Sequence, residues 1–409
     1  MWLIDWTYRK SHFILPASGA GQNYQKKIVV HYGAGTDDDE NVYLDSKCLT
    51  DFGDIRFTDS TGVTLLDYWI EKKVDNDYCI YWIEVKDDLS IYDRKIFIYY
   101  NKSGVISIPN GTNTFSFFDD FELDLTKWAL KTVNAVISTD HSYEGTKCVR
   151  ITKTGVAPTD SSGFIQIIRD NRNSSIHVHF YDQMINIQSQ YMLSYGGNED
   201  ISCTIVTDDI GYFHNLFPDC DSAHYLYGSS NAMFNSGINR TIGWHEFIIR
   251  NTGSIVEYII DGILMLHTDF SSDQQLFLLN CSASTSQPAY YDACFIRKFV
   301  NPEPVHGTWG TEETGTGITT FTAEDIVKLN NQNQLVLEDI INILSQKSVS
   351  AEDTISILSL SSHIPFSSED ILFALSALRT YMVTKEFITN EGAFPIIGGK
   401  HLIDVEGEN

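Results

Sequence analysis

The chain has 409 residues, of which 43% are apolar, and 54 acidic against 28 basic side chains give it a formal net charge of −26. The length suggests two or three domains, and the apolar content is that of a globular protein rather than a disordered one. The charge excludes a duplex nucleic-acid binder and disfavours anionic membrane surfaces, because both partners require clustered Lys and Arg. Apolar runs stay far below the roughly 20 residues of a spanning helix, so no membrane insertion is expected.

The beginning of the chain and its cysteines bear on where the protein is made. Residues 1–6 (MWLIDW) have neither a basic start nor a long apolar core, so they do not predict a signal peptide. The seven cysteines are scattered without a CxxC spacing. This pattern predicts reduced, mostly buried thiols.

Short β-branched and aromatic runs follow one another through the first 300 residues and predict strands. In chain order they are residues 27–32, 78–85, 95–100, 176–181, 246–250, 255–260 and 263–267. The last two runs are separated by Asp261-Gly262, which predicts a tight hairpin because both residue types accept a positive φ. Many short strands with few helical patterns indicate sandwiches or barrels.

The last part of the chain differs in composition and is repetitive. Residues 315–409 have no Trp or Cys, and a Gly/Thr-rich stretch at 310–320 predicts a connector before them. Four Glu-Asp pairs, beginning at Glu324, Glu338, Glu352 and Glu369, are spaced by 14, 14 and 17 residues and precede apolar runs. Acids at such positions favour short helices, while a repetitive β-stalk remains the alternative. A single 14-residue unit cannot bury its apolar face alone, so the repeats must stack on one another or on other chains.

The first region resembles the domain-of-unknown-function 2341 family over about residues 1–120. The resemblance rests on the segments 6–10 (WTYRK), 51–59 (DFGDIRFTD), 64–71 (TLLDYWIE), 81–85 (YWIEV), 96–101 (IFIYYN) and 113–121 (NTFSFFDDF). It implies a small β-sandwich without established chemistry, found in surface-exposed microbial and viral proteins.

The second region, about residues 115–313, resembles a concanavalin A-like (laminin G-like) jelly roll. The matching segments are 118–121 (FDDF) with Trp128, 243–247 (GWHEF), 258–262 (YIIDG), 291–299 (YDACFIRKF) and 302–304 (PEP). These motifs are structural, so they imply a fold rather than an activity. The expected architecture is therefore mainly β, with two consecutive β-sandwiches at 1–114 and 115–313 and a repetitive, short-helical assembly or attachment region at 314–409.

Some jelly rolls of this class are glycoside hydrolases, which place two or more acids on one strand face. Glu122 and Asp124 supply the first two acids of a Glu-x-Asp-x-x-Glu signature, but the third acid is absent and the segment stands at the entry of the module. We therefore expect no enzymatic activity and no catalytic residue.

The second region also contains residue types that can bind metal ions, but their spacing predicts a metal site only weakly. His177 and His179 alternate along one predicted strand, but spacing identifies no third ligand, so we expect two outward, solvated histidines and no metal site. The acids Asp208, Asp209, Asp219 and Asp221 have oxygen ligands suited to calcium, although turn formation explains them equally well. No other cofactor is expected.

A glycan site on such a module needs aromatic rings beside polar loop groups. The stretch from 208 to 239 offers both, and the predicted carbohydrate contacts are Asp208, Asp209, Tyr212, His214 and Tyr225. Residues 224–227 alternate as an ordinary strand does, so some of these rings are expected in the core.

These observations together predict a non-enzymatic surface protein. A surface protein without an export signal is most simply a part of a virus particle, so we expect a tail fibre, spike or capsid decoration on the virion surface. Its expected partners are copies of itself, as a homotrimer, other virion proteins and a host-surface glycan. A cellular surface adhesin located outside the cell is the alternative, and a glycoside hydrolase ranks third.

Overall fold

The computed structural model describes residues 2–128, 130–131, 134–152, 163–168, 173–184, 188–196, 201–209, 222–229, 232–251, 256–267, 275–280 and 288–315. Within 163–168, 188–196 and 201–209 it describes the backbone alone. These residues belong to one compact unit, Met1–Gly315, and the second unit, Thr316–Asn409, lies outside them. The short-helical repeats expected at 314–409 therefore stay a prediction, as do the three predicted domain boundaries.

The described residues are mainly β, as the sequence predicted. The first strands are β1 (Tyr8–Leu15), β2 (Tyr24–His31), β3 (Asn41–Tyr43), β4 (Arg56–Thr58), β5 (Tyr68–Val74), β6 (Tyr78–Val85) and β7 (Arg94–Tyr100), followed by the short helix α1 (Gly111–Thr114). The next are β8 (Phe117–Asp119), β9 (Leu130–Lys131), β10 (Ala135–Ser138), β11 (Cys148–Ile151), β12 (Gly163–Ile168), β13 (Ser174–Asp182), β14 (Gln188–Gly196) and β15 (Ile201–Asp209). The last are β16 (His224–Ser229), β17 (Ala232–Asn239), β18 (Gly243–Asn251), β19 (Val256–Ile260), β20 (Ile263–His267), β21 (Gln275–Asn280), β22 (Ala289–Lys298), β23 (Val305–Trp309) and β24 (Glu313–Thr314).

These strands form four sheets. Sheet A has the order β23-β1-β7-β4 with β24 also on β1, and sheet B has the order β3-β2-β6-β5. Sheet C has the order β10-β11-β22-β13-β18-β19-β20 with β8 on β22, and sheet D has the order β17-β16-β14-β15-β21-β12-β9.

The sheets stack in the order A, B, C, D, and an apolar layer fills the space between each neighbouring pair. Sheets A and B enclose rings such as Phe57 and Tyr81, and sheets C and D enclose Phe180 and Tyr225. A third layer between B and C contains Trp69, Trp82, Phe115, Phe118 and Phe295. The two sandwiches are therefore packed face to face, and the joint between them is itself a small aromatic core.

The predicted Asp-Gly hairpin is confirmed. Ile260 of β19 faces Ile263 of β20 across the turn. Asp261 and Gly262 have φ values of 47° and 79°. Two successive positive φ values are the mark of the primed turn that matches the twist of the paired strands.

The chain returns to its first sheet after completing the second sandwich, which the sequence did not indicate. Strands β23 and β24 pair antiparallel with β1, so sheet A contains both the beginning and the end of the described chain. Trp309 stacks on His12 at 3.9 Å between ring centroids. The chain that leaves the second sandwich thus completes sheet A of the first, and the two sandwiches are also packed face to face. No helix among the described residues is long and apolar enough to cross a membrane.

Candidate functional site

The structure does not bring the predicted carbohydrate-binding residues together on a surface whose side chains are described. Asp208 and Asp209 end β15, where only the backbone is described, and Tyr212 and His214 lie outside the described residues, as do the calcium candidates at 219 and 221. Tyr225 has no exposed surface, and its ring packs edge-on against the neighbouring core rings. The prediction for Tyr225 needs correction, because a ring without an exposed face cannot stack on a sugar.

A different aromatic pair is accessible on the same hairpin. Tyr227 of β16 faces Phe234 of the edge strand β17, with ring centroids 5.6 Å apart. Phe234 is 42% exposed, whereas most large rings of this sandwich whose side chains the structure describes are buried. His224 and Asn235 lie 3.3 Å apart on the same two strands. An accessible ring beside imidazole and amide groups has the composition of a polar-ligand contact surface.

The two acids of the partial hydrolase signature are engaged with loops. Glu122 accepts hydrogen bonds from the backbone N–H groups of Thr146 (2.6 Å) and Lys147 (2.7 Å). Burial raises the pKa of Glu122, but these hydrogen bonds outweigh it and the net shift is downward. Asp124 accepts from the N–H of Thr126 at 2.8 Å. A general acid needs a raised pKa, whereas the pKa of Glu122 is lowered, so Glu122 is not suited to act as a general acid.

The two histidines predicted to be solvated are instead buried between sheets B and C. His177 and His179 are each 2% exposed. His177 stacks on Phe295 at 4.3 Å, and His179 stacks on Tyr143 at 3.7 Å. The prediction failed because the outer face of β13 is covered by the first sandwich, which the sequence of β13 alone does not reveal.

Glu71, His179 and Glu246 converge in this joint. Glu71 comes from β5 of sheet B, whereas His179 and Glu246 are directly opposite each other on β13 and β18 of sheet C. One ligand-type atom from each residue lies within 4.8 Å of the other two. We call these three residues the joint cluster.

Hydrogen bonds hold each member of the joint cluster in place. Nδ1 of His179 lies 3.3 Å from the carbonyl oxygen of Ala293, so it donates there and its Nε2 carries the lone pair. That Nε2 points to Glu71, with 3.8 Å to Oε1, which is longer than a hydrogen bond. The indole N–H of Trp82 donates to the other oxygen of Glu71 at 2.9 Å.

A β-bulge supplies the carbonyl that orients His179. The pairing of β13 with β22 shifts register between His177 and His179. Opposite this shift Ala293 adopts a φ of 43°, which is uncommon for a residue with a side chain. Bulges re-aim side chains and are frequent beside functional sites.

His177 supports the cluster from its side. Its Nδ1 lies 2.7 Å from a carboxylate oxygen of Glu246 and donates to it. Its Nε2 accepts from the guanidinium of Arg297 at 3.2 Å, and Arg297 in turn is paired with Glu303 at 2.6 Å. The imidazole of His177 is therefore held in one neutral tautomer, and burial lowers its pKa well below the usual value.

The joint cluster is rich in acceptors. Burial raises the pKa of both Glu71 and Glu246, and the proximity of the two carboxylates raises the pKa of Glu71 further. Burial lowers the pKa of His179. Two carboxylates and an unprotonated imidazole nitrogen thus face one another, an arrangement that suits a shared proton or a cation.

Sequence reasoning missed Glu71 and Glu246. Each stands in an apolar strand, at Tyr-Trp-Ile-Glu in β5 and beside Phe-Ile-Ile in β18. An acid inside such a run is the available signal, because a buried carboxylate needs a partner. The partner could not be found from spacing, since the three members lie on strands from two sandwiches.

Comparisons with known proteins agree with the sequence resemblance over part of the chain. The family model described as "Domain of unknown function (DUF2341)" matches residues 51–131. No curated protein matches the chain. The concanavalin A-like character of the second sandwich stays a prediction.

Two solved structures are similar to the chain at low identity. One is an endo-β-1,4-glucuronan lyase from the fungus Trichoderma reesei, with 12% identity, coverage of 47% of this chain and 98% of that chain, and a TM-score of 0.30. The other is the N-terminal CBM22-1-CBM22-2 tandem domain of Xyn10C from Paenibacillus barcinonensis, with 9% identity, coverage of 73% and 80%, and a TM-score of 0.23. At these scores neither similarity assigns an activity to this protein.

Proposed function

We propose that this protein is a non-enzymatic adhesion protein whose second sandwich binds a host-surface glycan at the β16–β17 hairpin. The observation that carries this proposal is the accessible ring of Phe234, packed on Tyr227 at the edge of sheet D. Sugars offer apolar C–H faces that stack on aromatic rings, and neighbouring amide and imidazole groups can bond their hydroxyls. His224 and Asn235 are placed for that second role.

The charge of the protein narrows the class of glycan. The net charge of −26 repels anionic chains at long range, so we propose a neutral polysaccharide as the ligand. The engagement of both Glu122 carboxylate oxygens by Thr146 and Lys147 supports binding without hydrolysis, because these hydrogen bonds tie the acid to its loop.

We further propose that the protein is displayed on a virus particle, as a tail fibre, spike or capsid decoration held by other virion proteins. The four-layer block supports a structural role, since its two sandwiches share an aromatic joint and the chain that follows the second one completes sheet A of the first. The alternative is a cellular surface adhesin. Immunogold labelling separates them: label on purified particles supports the virion, and label on the envelope of virus-free cells supports the adhesin.

Phe234→Ala is expected to weaken glycan binding by at least about tenfold, because about 1.4 kcal/mol of stacking and burial is lost. A neutral-polysaccharide array identifies the ligand, and isothermal titration then compares the variants. Tyr92→Ala is the matched control, since Tyr92 is 65% exposed in the β6–β7 connection of the first sandwich. Absence of binding on the array, or equal loss in both variants, contradicts the proposed site.

Full-length protein is expected to form a homotrimer, with the region after residue 314 as the assembly element. Light scattering should give three times the chain mass for the full chain and a monomer mass for a chain ending at Gly315. If the full-length protein stays monomeric at micromolar concentration, the trimer is ruled out and the proposal of a tail fibre is wrong.

A further inference from the structure

We infer that the joint cluster, formed by Glu71, His179 and Glu246, binds one divalent first-row transition metal ion of the Zn²⁺ class, which ties sheet B to sheet C. This site is independent of the glycan site proposed above, because it lies between the two sandwiches rather than on the outer hairpin.

The dimensions of the joint cluster fit a single ion. Zinc binds imidazole nitrogen at about 2.0–2.1 Å and carboxylate oxygen at about 2.0–2.2 Å, so two ligands of one ion stand roughly 3–4 Å apart. The three ligand atoms here are all within 4.8 Å of one another. We expect rotation of the two Glu side chains to close this spacing when an ion binds.

Each ligand is oriented by a neighbour that engages its other polar atom. The Ala293 carbonyl fixes Nδ1 of His179, the Trp82 indole fixes one oxygen of Glu71, and His177 donates to one oxygen of Glu246. Metal-binding histidines and carboxylates are held by such outer partners in most protein metal sites. The joint cluster thus has a built outer shell as well as three ligands.

The charge balance of the joint favours a cation. His179 is 2% exposed and Glu71 is 8% exposed, so neither can rely on bulk water to stabilise the charge of the cluster. Two basic side chains that act electrostatically on the cluster have other partners, since Arg297 pairs with Glu303 and Lys27 pairs with Glu40 at 3.0 Å. The Glu246 side chain is 23% exposed, so the cluster is mostly but not wholly buried. Two carboxylates facing an imidazole lone pair at such a site are costly unless a positive charge is placed among them.

The donor set selects the kind of metal. Calcium requires six to eight oxygen ligands, whereas the joint cluster has two carboxylates and one imidazole. Imidazole nitrogen is a good ligand for zinc and its neighbours in the first transition row, and a fourth position remains for water. Because the ligands come from both sandwiches, the ion is expected to stabilise the joint between them.

The test uses the full-length protein, stripped with a chelator and titrated with Zn²⁺ at pH 7.5 against a chromophoric competitor. We expect one ion per chain and a thermal unfolding midpoint that rises with free Zn²⁺, because ligand binding to the folded state stabilises it. Loss of a residue that hydrogen-bonds a metal ligand typically lowers metal affinity by about 10- to 100-fold. Glu71→Gln and Glu246→Gln each remove a ligand itself, so each should lower the Zn²⁺ affinity by more than that. Glu144→Gln is the control, because Glu144 acts electrostatically on Glu71 but is not one of the three converging residues.

X-ray absorption of the zinc-loaded wild-type protein keeps the proposal testable if a variant fails to fold. One imidazole with oxygen ligands and no sulfur is the expected environment, and a sulfur signal would assign the metal to cysteines instead. Unchanged affinity in both Glu variants, or no zinc retained by the wild-type protein at micromolar free Zn²⁺, overturns the inference. In the latter case the joint cluster holds a shared proton.

Discussion

Asp182→Asn is expected to lower the free energy of unfolding by about 3–5 kcal/mol, because it removes a hydrogen-bonded counter-charge from a fully buried guanidinium. Asp182 and Arg240 form two hydrogen bonds, of 2.7 and 2.8 Å, and their side chains are 0% and 1% exposed. Arginine cannot lose its proton in a protein, so its positive charge would stay in the interior with one carboxylate fewer to stabilise it. Urea unfolding of the wild-type and variant proteins at pH 7 measures the loss.

The reverse substitution, Arg240→Met, distinguishes charge from packing. The double variant Asp182→Asn with Arg240→Met removes both charges and keeps an acceptor for the N–H of Met184. Its loss should be smaller than the sum of the single losses, and simple additivity would contradict a role for the ion pair.

This ion pair also connects stability to the proposed glycan site. Asp182 ends β13 in sheet C, and Arg240 directly follows β17 in sheet D. The guanidinium donates to the carbonyl of Ser222 at 3.0 Å, at the start of the same hairpin. Loss of the pair is therefore expected to loosen the hairpin that carries Phe234 and to weaken glycan binding together with stability.

The sequence predicted local features well and contacts between the sandwiches poorly. The β-rich composition, the strands and the Asp261-Gly262 turn depend on neighbouring residues, and all are present among the described residues. The burial of His177 and His179 depends on a sheet more than 90 residues earlier in the chain, so an alternating pattern on β13 looked like a solvated face. Periodicity reports that a strand has two faces, but it does not report what covers the second face.

The same limit applies to the aromatic residues. Trp69 and Trp82 point away from the core of their own sandwich and would be unusual on a free surface. If the first sandwich stood alone, these two exposed rings would indicate a contact surface for another protein or domain. They would not indicate that the second sandwich covers it. Tyr225 shows the converse, since a tyrosine in a loop-rich stretch belongs to the core.

A second large effect is expected on acidification, and it arises where the returning chain meets sheet A. His12 of β1 and His306 of β23 have ring nitrogens 2.9 Å apart, and His12 is completely buried. One ring must donate and the other accept, so the pair has room for one bridging proton and not for two charged rings. Burial, together with Lys26, lowers the pKa of His12 to about 3 and that of His306 to about 2.

The sign of the pH effect follows from proton uptake. In the unfolded chain both histidines titrate near pH 6.5, so below that pH the unfolded state binds protons that the folded state refuses. The free energy of unfolding therefore falls on acidification, by up to about 1.4 kcal/mol per pH unit for each histidine. At pH 4.5 the pair is expected to cost the folded state about 5 kcal/mol relative to neutral pH.

His306→Gln isolates this contribution from the buried acids, which titrate in the opposite direction. Burial raises the pKa of Asp292 to about 8 and that of Glu144 to about 7, so those groups favour the folded state in acid, and they are unchanged in the variant. Gln keeps a polar partner for His12 but does not titrate. Urea unfolding between pH 7.5 and 4.5 should show the variant losing less stability than the wild-type protein, with a slope smaller by about one proton.

Parallel slopes in the two proteins would show that His306 is protonated in the folded state, which the 2.9 Å contact with His12 and the neighbouring charge of Lys26 oppose. If the slopes differ as expected, the seam between β1 and β23 is one acid-sensitive part of the block. That seam is also where the end of the described chain is attached to its beginning. Acid would then act on the closure of sheet A as well as on the joint between sheets B and C, where burial also lowers the pKa of His177 and His179.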